Sequence, residues 1–125
     1  MRILLDTNIL LWTLSGSKRV TSVKRLILDD ENQVFVSIAS WWEIAIKSSI
    51  GKLDADVAAL RNAAQDSGFN ELSIVGAHTE VLAKLPLLHR DPFDRLIVAQ
   101  AIYEPMQLLT SDEQLVHYSD LVKLI

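Results

Sequence analysis

The sequence predicts an α/β fold built on a parallel sheet. Short apolar runs, of the length of buried strands, alternate with segments whose apolar residues recur at helical spacing. The composition is that of one ordinary globular domain: 125 residues, 50% hydrophobic and 22% charged, with only four glycines and three prolines. These values exclude disordered, collagen-like and low-complexity chains. No repeat, linker or composition break divides the sequence, so residues 1–125 read as a single domain.

The elements follow in order. Residues 2–5 form a short apolar run that reads as a buried first strand. Residues 7–14 form a helix broken at Ser15-Gly16-Ser17. Residues 20–30 form a second helix with Val23, Leu26 and Ile27 on one face. Residues 33–37, with Val34-Phe35-Val36 at their centre, are strand two. Residues 38–50 and 55–67 are helices closed by Gly51 and Gly68, the residue type that best ends a helix. Residues 71–74 make a short strand, and residues 76–85 a helix ended by Pro86. Residues 92–104 are a strong helix with Pro92 at its first position, where a missing N–H does no harm. Residues 106–110 are a buried strand, 112–118 one or two turns, and 121–125 the last strand.

Several classes of chemistry drop out on composition. Without cysteine there are no disulfides, thiolate zinc sites or cysteine nucleophiles, which fits a reducing cytoplasm. No apolar run approaches the roughly 18 residues of a membrane span. The start Met1-Arg2-Ile3-Leu4-Leu5-Asp6 meets an acid too early for a signal-peptide core. Net charge is −4, from 16 acids against 12 bases, where nucleic-acid binders are usually basic. Setting aside the four acids discussed next leaves 12 of each, so the acidity is local. A mean hydropathy of +0.22 is compatible with apolar surface covered by a partner.

The four acids are Asp6, Glu43, Asp94 and Asp112. Asp6 follows strand one, Glu43 lies early in the helix after strand two, Asp94 is in the first turn of the helix opened by Pro92, and Asp112 follows the strand ending at Thr110. Ligands of open parallel sheets bind just outside the carboxyl ends of the strands, so one fold can bring all four to one edge. Singly, each also reads as a helix cap or dipole partner. Ser40-Trp41-Trp42-Glu43 and Thr110-Ser111-Asp112-Glu113 fit capping boxes, and Asp91 before Pro92 reads as the cap of its helix. Two details favour a site. Asp94 shares a helical face with Ile97, Val98 and Ala101, and Glu43 lies on a largely apolar face with Ala39, Ile46 and Ile50, with Lys47 one turn away as a salt-bridge partner. Acids beside buried surface repel one another unless compensated. A divalent cation compensates them, and hard oxygen ligands favour Mg²⁺ or Mn²⁺.

The chain resembles the PIN-domain ribonucleases, and within them the toxin half of VapBC-type toxin–antitoxin pairs. Leu4-Leu5-Asp6-Thr7-Asn8-Ile9-Leu10-Leu11-Trp12 matches the first acidic motif of that family. Residues 37–47, followed by Gly51-Lys52-Leu53, match the second, and residues 89–101, beginning His89-Arg90-Asp91-Pro92-Phe93-Asp94, match the third. Leu108-Leu109-Thr110-Ser111-Asp112 matches the fourth. The four motifs run in order over essentially the whole chain, with an acid at every acidic position. The Trp41-Trp42 doublet is the one departure.

The resemblance implies a three-layer α/β/α PIN-like fold with a five-stranded parallel sheet, and metal-dependent RNA cleavage. It carries both the catalytic and the metal-ligand role onto Asp6, Glu43, Asp94 and Asp112, with Asp112 acting through water. Asn8 is expected to fix Asp6 by a supporting hydrogen bond, and Thr110 or Ser111 to steady Asp112. One or two Mg²⁺ or Mn²⁺ ions would activate a water for in-line attack, leaving a 5′-phosphate and a 3′-hydroxyl. The implied partners are RNA, a VapB-type antitoxin and a second copy of the chain in a homodimer, with no membrane.

RNA must reach an acidic pocket, so bases should rim it. Lys47 and Arg95 are the first candidates, with Lys52 and Arg90 behind them. Lys18, Arg19, Lys24 and Arg25 form a basic run that reads either as a solvated face or as a contact surface. Trp12, Trp41 and Trp42 are candidates for stacking on unpaired bases. Neighbouring helical positions diverge by about 100°, so only one of Trp41 and Trp42 can face the site, and Trp42 is assigned to the core. No histidine is needed as a base: His78 and His117 read as ordinary surface or partly buried residues, and His89, near the third motif, reads either as an ordinary loop residue or as one that approaches RNA. A phosphoryl-receiver domain also clusters acids at strand ends, but lacks support here: Asp6 has no acidic neighbour, and Lys123 falls inside the last strand rather than after it. A non-catalytic PIN module binding RNA or protein is the remaining alternative, disfavoured by the full set of acids.

Overall fold

The computed structural model describes residues 1–125. Its strands are β1 (Arg2–Leu5), β2 (Gln33–Ser37), β3 (Asn70–Leu72), β4 (Gln107–Thr110) and β5 (Val122–Leu124). They form one sheet in the order β3-β2-β1-β4-β5, every pair parallel. The helices are α1 (Thr7–Leu14), α2 (Lys24–Leu28), α3 (Ile38–Ser49), α4 (Val57–Asp66), α5 (Gly76–Lys84) and α6 (Pro92–Tyr103).

Alternation along the strands divides the apolar side chains between the two faces of the sheet. Ile3 and Leu5 of β1, Val34 and Val36 of β2, and Leu109 of β4 join Ile9, Leu10, Trp41 and Ile44 in one cluster. Leu4 and Leu108 join Ile97, Val98, Ala101 and Met106 in the other. Two cores on opposite faces make the three-layer α/β/α arrangement expected. The strand order reverses between β1 and β4, the kind of crevice in which open α/β sheets bind ligands.

Boundaries differ from expectation in two instructive places. Residues 20–30 are not one α-helix: Lys18–Val23 is a 3-10 segment and only Lys24–Leu28 is α-helical. Val20, Thr21 and Val23 are β-branched and poor helix formers. Ser17 accepts from the Arg19 N–H and the Thr21 hydroxyl donates to the Lys18 carbonyl, both of which favour the tighter winding. The third strand is Asn70–Leu72 rather than 71–74. Its partner strand ends at Ser37, which pairs with Leu72 and then caps α3, so the ladder has nothing to extend along.

The start of α3 corrects a capping assignment. The cap is Ser37, whose hydroxyl accepts from the Ala39 N–H and donates to Gln100 Oε1. Ser40 lies inside the helix, fully buried, and accepts from the Thr7 hydroxyl at 3.0 Å. That register also reverses the tryptophan assignment. Trp41 is in the core, 4% exposed, while Trp42 is 52% exposed and packs edge-on against Phe93 with ring centroids 4.8 Å apart. His78, expected at the surface or partly buried, is fully buried between the Val75 N–H and Glu104. No helix is long and apolar enough to cross a membrane.

Candidate active site

Asp6 is held by the sheet before its side chain does anything. Its N–H continues the β1 ladder to the Leu109 carbonyl, which sets it beside the end of β4. Its carboxylate then caps α1, with Oδ1 accepting from the Ile9 N–H at 2.8 Å, while Oδ2 accepts from the Thr110 hydroxyl at 2.5 Å. Thr110 Oγ1 in turn accepts from the Asp112 N–H. One hydroxyl therefore ties the acids after β1 and β4 across the reversal in strand order.

The other acids arrive from helices. Glu43, 5% exposed, points from α3 with Oε2 paired to Lys47 Nζ at 2.7 Å, while Oε1 is buried with no hydrogen-bond partner. Asp94 stands in the first turn of α6, whose following face (Ile97, Val98 and Ala101) is fully buried. The cap of α6 is Asp91, whose Oδ1 accepts from the Phe93 and Asp94 N–H groups, so Asp94 is free of capping duty. Asp112 caps the 3-10 turn Glu113–His117 through Oδ1. Its Oδ2 lies 2.7 Å from His89 Nε2, which is also 3.7 Å from Asp94 Oδ2. One ligand atom each from His89, Asp94 and Asp112 all lie within 4.8 Å of one another.

The electrostatics register this convergence. Burial pushes the Asp6 carboxyl up from 3.8 to about 6, against the pull of the Thr110 and Ile9 hydrogen bonds, and the charges of Glu43 and Asp112 add to the rise. Asp94 is pushed up from 3.8 to about 7, first by burial and then by the charges of Asp91, Glu43 and Asp6, with His89 opposing. The Lys47 ammonium is held above its ordinary value, chiefly by its hydrogen bond to Glu43, with Asp91 and Asp94 contributing. The four acids assigned from the sequence thus lie near enough for their charges to act on one another. A divalent cation fits them: the donors are hard carboxylate oxygens, two of the acids are costly to ionise unaided, and the orphaned Glu43 Oε1 lacks the partner a buried charge requires.

The supporting residues are only partly those expected. Thr110 steadies Asp6 as well as Asp112. Asn8 is exposed and makes no hydrogen bond to Asp6; the N–H of Ile9, one residue on, is the one that the cap geometry directs at the carboxylate. Ser111 makes no side-chain hydrogen bond to Asp112, because the adjacent Thr110 hydroxyl already takes that N–H. Lys47 is at the site, paired to Glu43. Arg95 is turned away into the loop after α5, donating to the Leu85 carbonyl at 3.2 Å, as the angular offset from Asp94 around the helix requires. Lys52 and Arg90 are exposed, and Arg19 lies over the Trp12 ring at 4.9 Å. The contact not foreseen is that of His89 with Asp112 and Asp94. The histidine's only sequence signal is its place two residues before the cap Asp91, which lets Nδ1 accept the Asp91 N–H at 2.9 Å.

Solved structures with this fold include three from bacteria. VapBC2 from Rickettsia felis, bound to a DNA fragment from its promoter, superposes with a TM-score of 0.75 at 17% identity, covering 100% of this chain and 99% of the other. VapBC-1 from nontypeable Haemophilus influenzae gives 0.71 at 16%, covering 100% and 97%. A toxin–antitoxin complex from Klebsiella pneumoniae gives 0.66 at 21%, covering 97% and 95%. No curated protein matches the chain in sequence. The PIN domain family model matches residues 3–121, a span that takes in Asp6, Glu43, Asp94 and Asp112, and the chain belongs to the PIN-domain family.

Proposed function

We propose that the protein is a Mg²⁺- or Mn²⁺-dependent endoribonuclease, the toxin of a VapBC-type pair, neutralised by a VapB-type antitoxin and working as a homodimer. The observation that carries this reading is the approach of four acids from four separate stretches of chain, close enough that their charges act on one another. The likeness to VapBC complexes over the full chain length supports the toxin assignment.

Asp6, Glu43 and Asp94 are the residues that would hold the ion directly, with Asp112 at the margin. The ion, when bound, supplies an activated water and charge relief on the scissile phosphate. The chain's own work is placement. The Ile9 N–H and the Thr110 hydroxyl fix both oxygens of Asp6, so its orientation needs no reorganisation when substrate arrives. Lys47 neutralises one Glu43 oxygen and leaves Oε1 available. The same ammonium, 2.7 Å from Glu43, would meet a phosphate brought to the acids. Trp42, exposed beside Glu43 and buttressed by Phe93, offers a flat face to an unpaired base.

The test is cleavage of structured cellular RNAs with Mg²⁺ or Mn²⁺, with and without EDTA. Cleavage is expected with metal only, and Asp6→Asn and Asp94→Asn should each reduce it at least a hundredfold, about 2.7 kcal/mol of barrier. RNA left intact under every metal would instead favour a non-catalytic binding module.

A further inference from the structure

Two segments remote in sequence are stitched together beside the acid pocket. The Tyr118 hydroxyl accepts from the backbone N–H of Leu88 at 3.1 Å and of His89 at 2.9 Å. Tyr118 directly follows the 3-10 turn Glu113–His117 that Asp112 caps, so the loop before α6 is pinned to the segment after β4. Within that loop His89 turns its ring so that Nδ1 accepts the Asp91 N–H and Nε2 meets Asp112 Oδ2 at 2.7 Å. An Nδ1 that accepts has no proton of its own, so the hydrogen of the neutral ring lies on Nε2. His89 therefore donates to Asp112. It is badly suited to be a ligand itself, because binding an ion through Nε2 would put a proton on Nδ1 facing the Asp91 N–H.

We propose that His89 is a positioning residue for the metal site: locked by the Asp91 backbone and the Tyr118 hydroxyl, it donates from Nε2–H to Asp112 and holds that carboxylate at the edge of the pocket beside Asp94. The inference rests on the metal-dependent reading above. It adds an orienting partner of the kind that carboxylate ligands commonly have, whose loss costs about 10–100-fold in metal affinity. It also explains why Asp112, the most exposed of the four acids, keeps a defined place: Oδ1 is spent on capping, and Oδ2 on His89.

Two measurements on the intact chain test it. The first is ¹⁵N NMR of the histidine rings with and without saturating Mg²⁺. The His89 proton is expected on Nε2 in both; its loss from Nε2 on adding Mg²⁺ would make His89 a direct ligand and overturn the proposal. The second is Mg²⁺ affinity by calorimetry for wild type, His89→Ala, His89→Gln and Tyr118→Phe. His89→Ala should bind at least tenfold more weakly. His89→Gln, whose amide can accept from Asp91 and donate to Asp112, should recover most of that loss, and Tyr118→Phe should fall between. His89→Ala binding as tightly as wild type would refute the positioning role while leaving the metal site standing. Wild type with no Mg²⁺ affinity would bring down the metal-dependent reading, and the proposal with it. Should His89→Ala fail to fold, the ring spectrum of the wild type and the Tyr118→Phe affinity still decide.

Discussion

Asp91 and Asp94 stand three residues apart at one helix start and do opposite things. Asp91 gives an oxygen to two backbone N–H groups, so its charge stabilises α6. Asp94 caps nothing, is pushed up to about 7 by burial and neighbouring charge, and so is a source of strain in the metal-free chain. Without metal at neutral pH, Asp94→Asn should raise stability by on the order of 1–3 kcal/mol, while Asp91→Ala should lower it by about 1 kcal/mol. Thermal melts in EDTA check both, a few degrees in opposite directions. A fall in the melting temperature of Asp94→Asn would show that its carboxylate serves the helix rather than the site.

At the level of elements, the sequence held the order of strands and helices, because apolar runs and glycine or proline stops are local signals. Asp6 and Asp112 each follow a strand and Asp94 lies in the first turn of α6, so element ends place those three; Glu43 lies inside α3, and its signal was the apolar face it shares. What was not legible depends on angular register or on distant contacts. Whether Trp41 or Trp42 enters the core is decided by α3 starting at Ile38, with its cap set by the end of β2. His89 gains its role from Asp112 and Tyr118, more than twenty residues away. The tryptophan register has a simple consequence. Trp41→Ala empties a packed site and should cost about 3–5 kcal/mol, whereas Trp42→Ala, which loses mainly an exposed contact with Phe93, should cost less than about 1.5 kcal/mol. Urea unfolding curves with unchanged slopes would read the two directly; equal losses would mean that α3 sits in a different rotation.

Across the whole molecule, stability and the proposed metal binding would draw on the same protons. An acid whose pKa is higher folded than unfolded favours folding only while it can stay protonated. The contributions of Asp6 and Asp94 are therefore complete below about 4 and lost as pH rises through about 6 and about 7 respectively. In EDTA the melting temperature should accordingly decline between pH 4 and pH 8, as far as these two groups control it. On the proposed reading Mg²⁺ would bind the ionised form, so its effect would run the other way: little stabilisation at pH 5, where Asp6 and Asp94 are largely protonated, and a large one at pH 8. At a hundredfold excess over its dissociation constant the ion should add about 2.7 kcal/mol. Melting scans with EDTA or Mg²⁺ across that range measure the difference. An ion that stabilised the protein equally at pH 5 and pH 8 would be binding somewhere other than these carboxylates, because only a site whose ligands must first lose protons ties its occupancy to their titration.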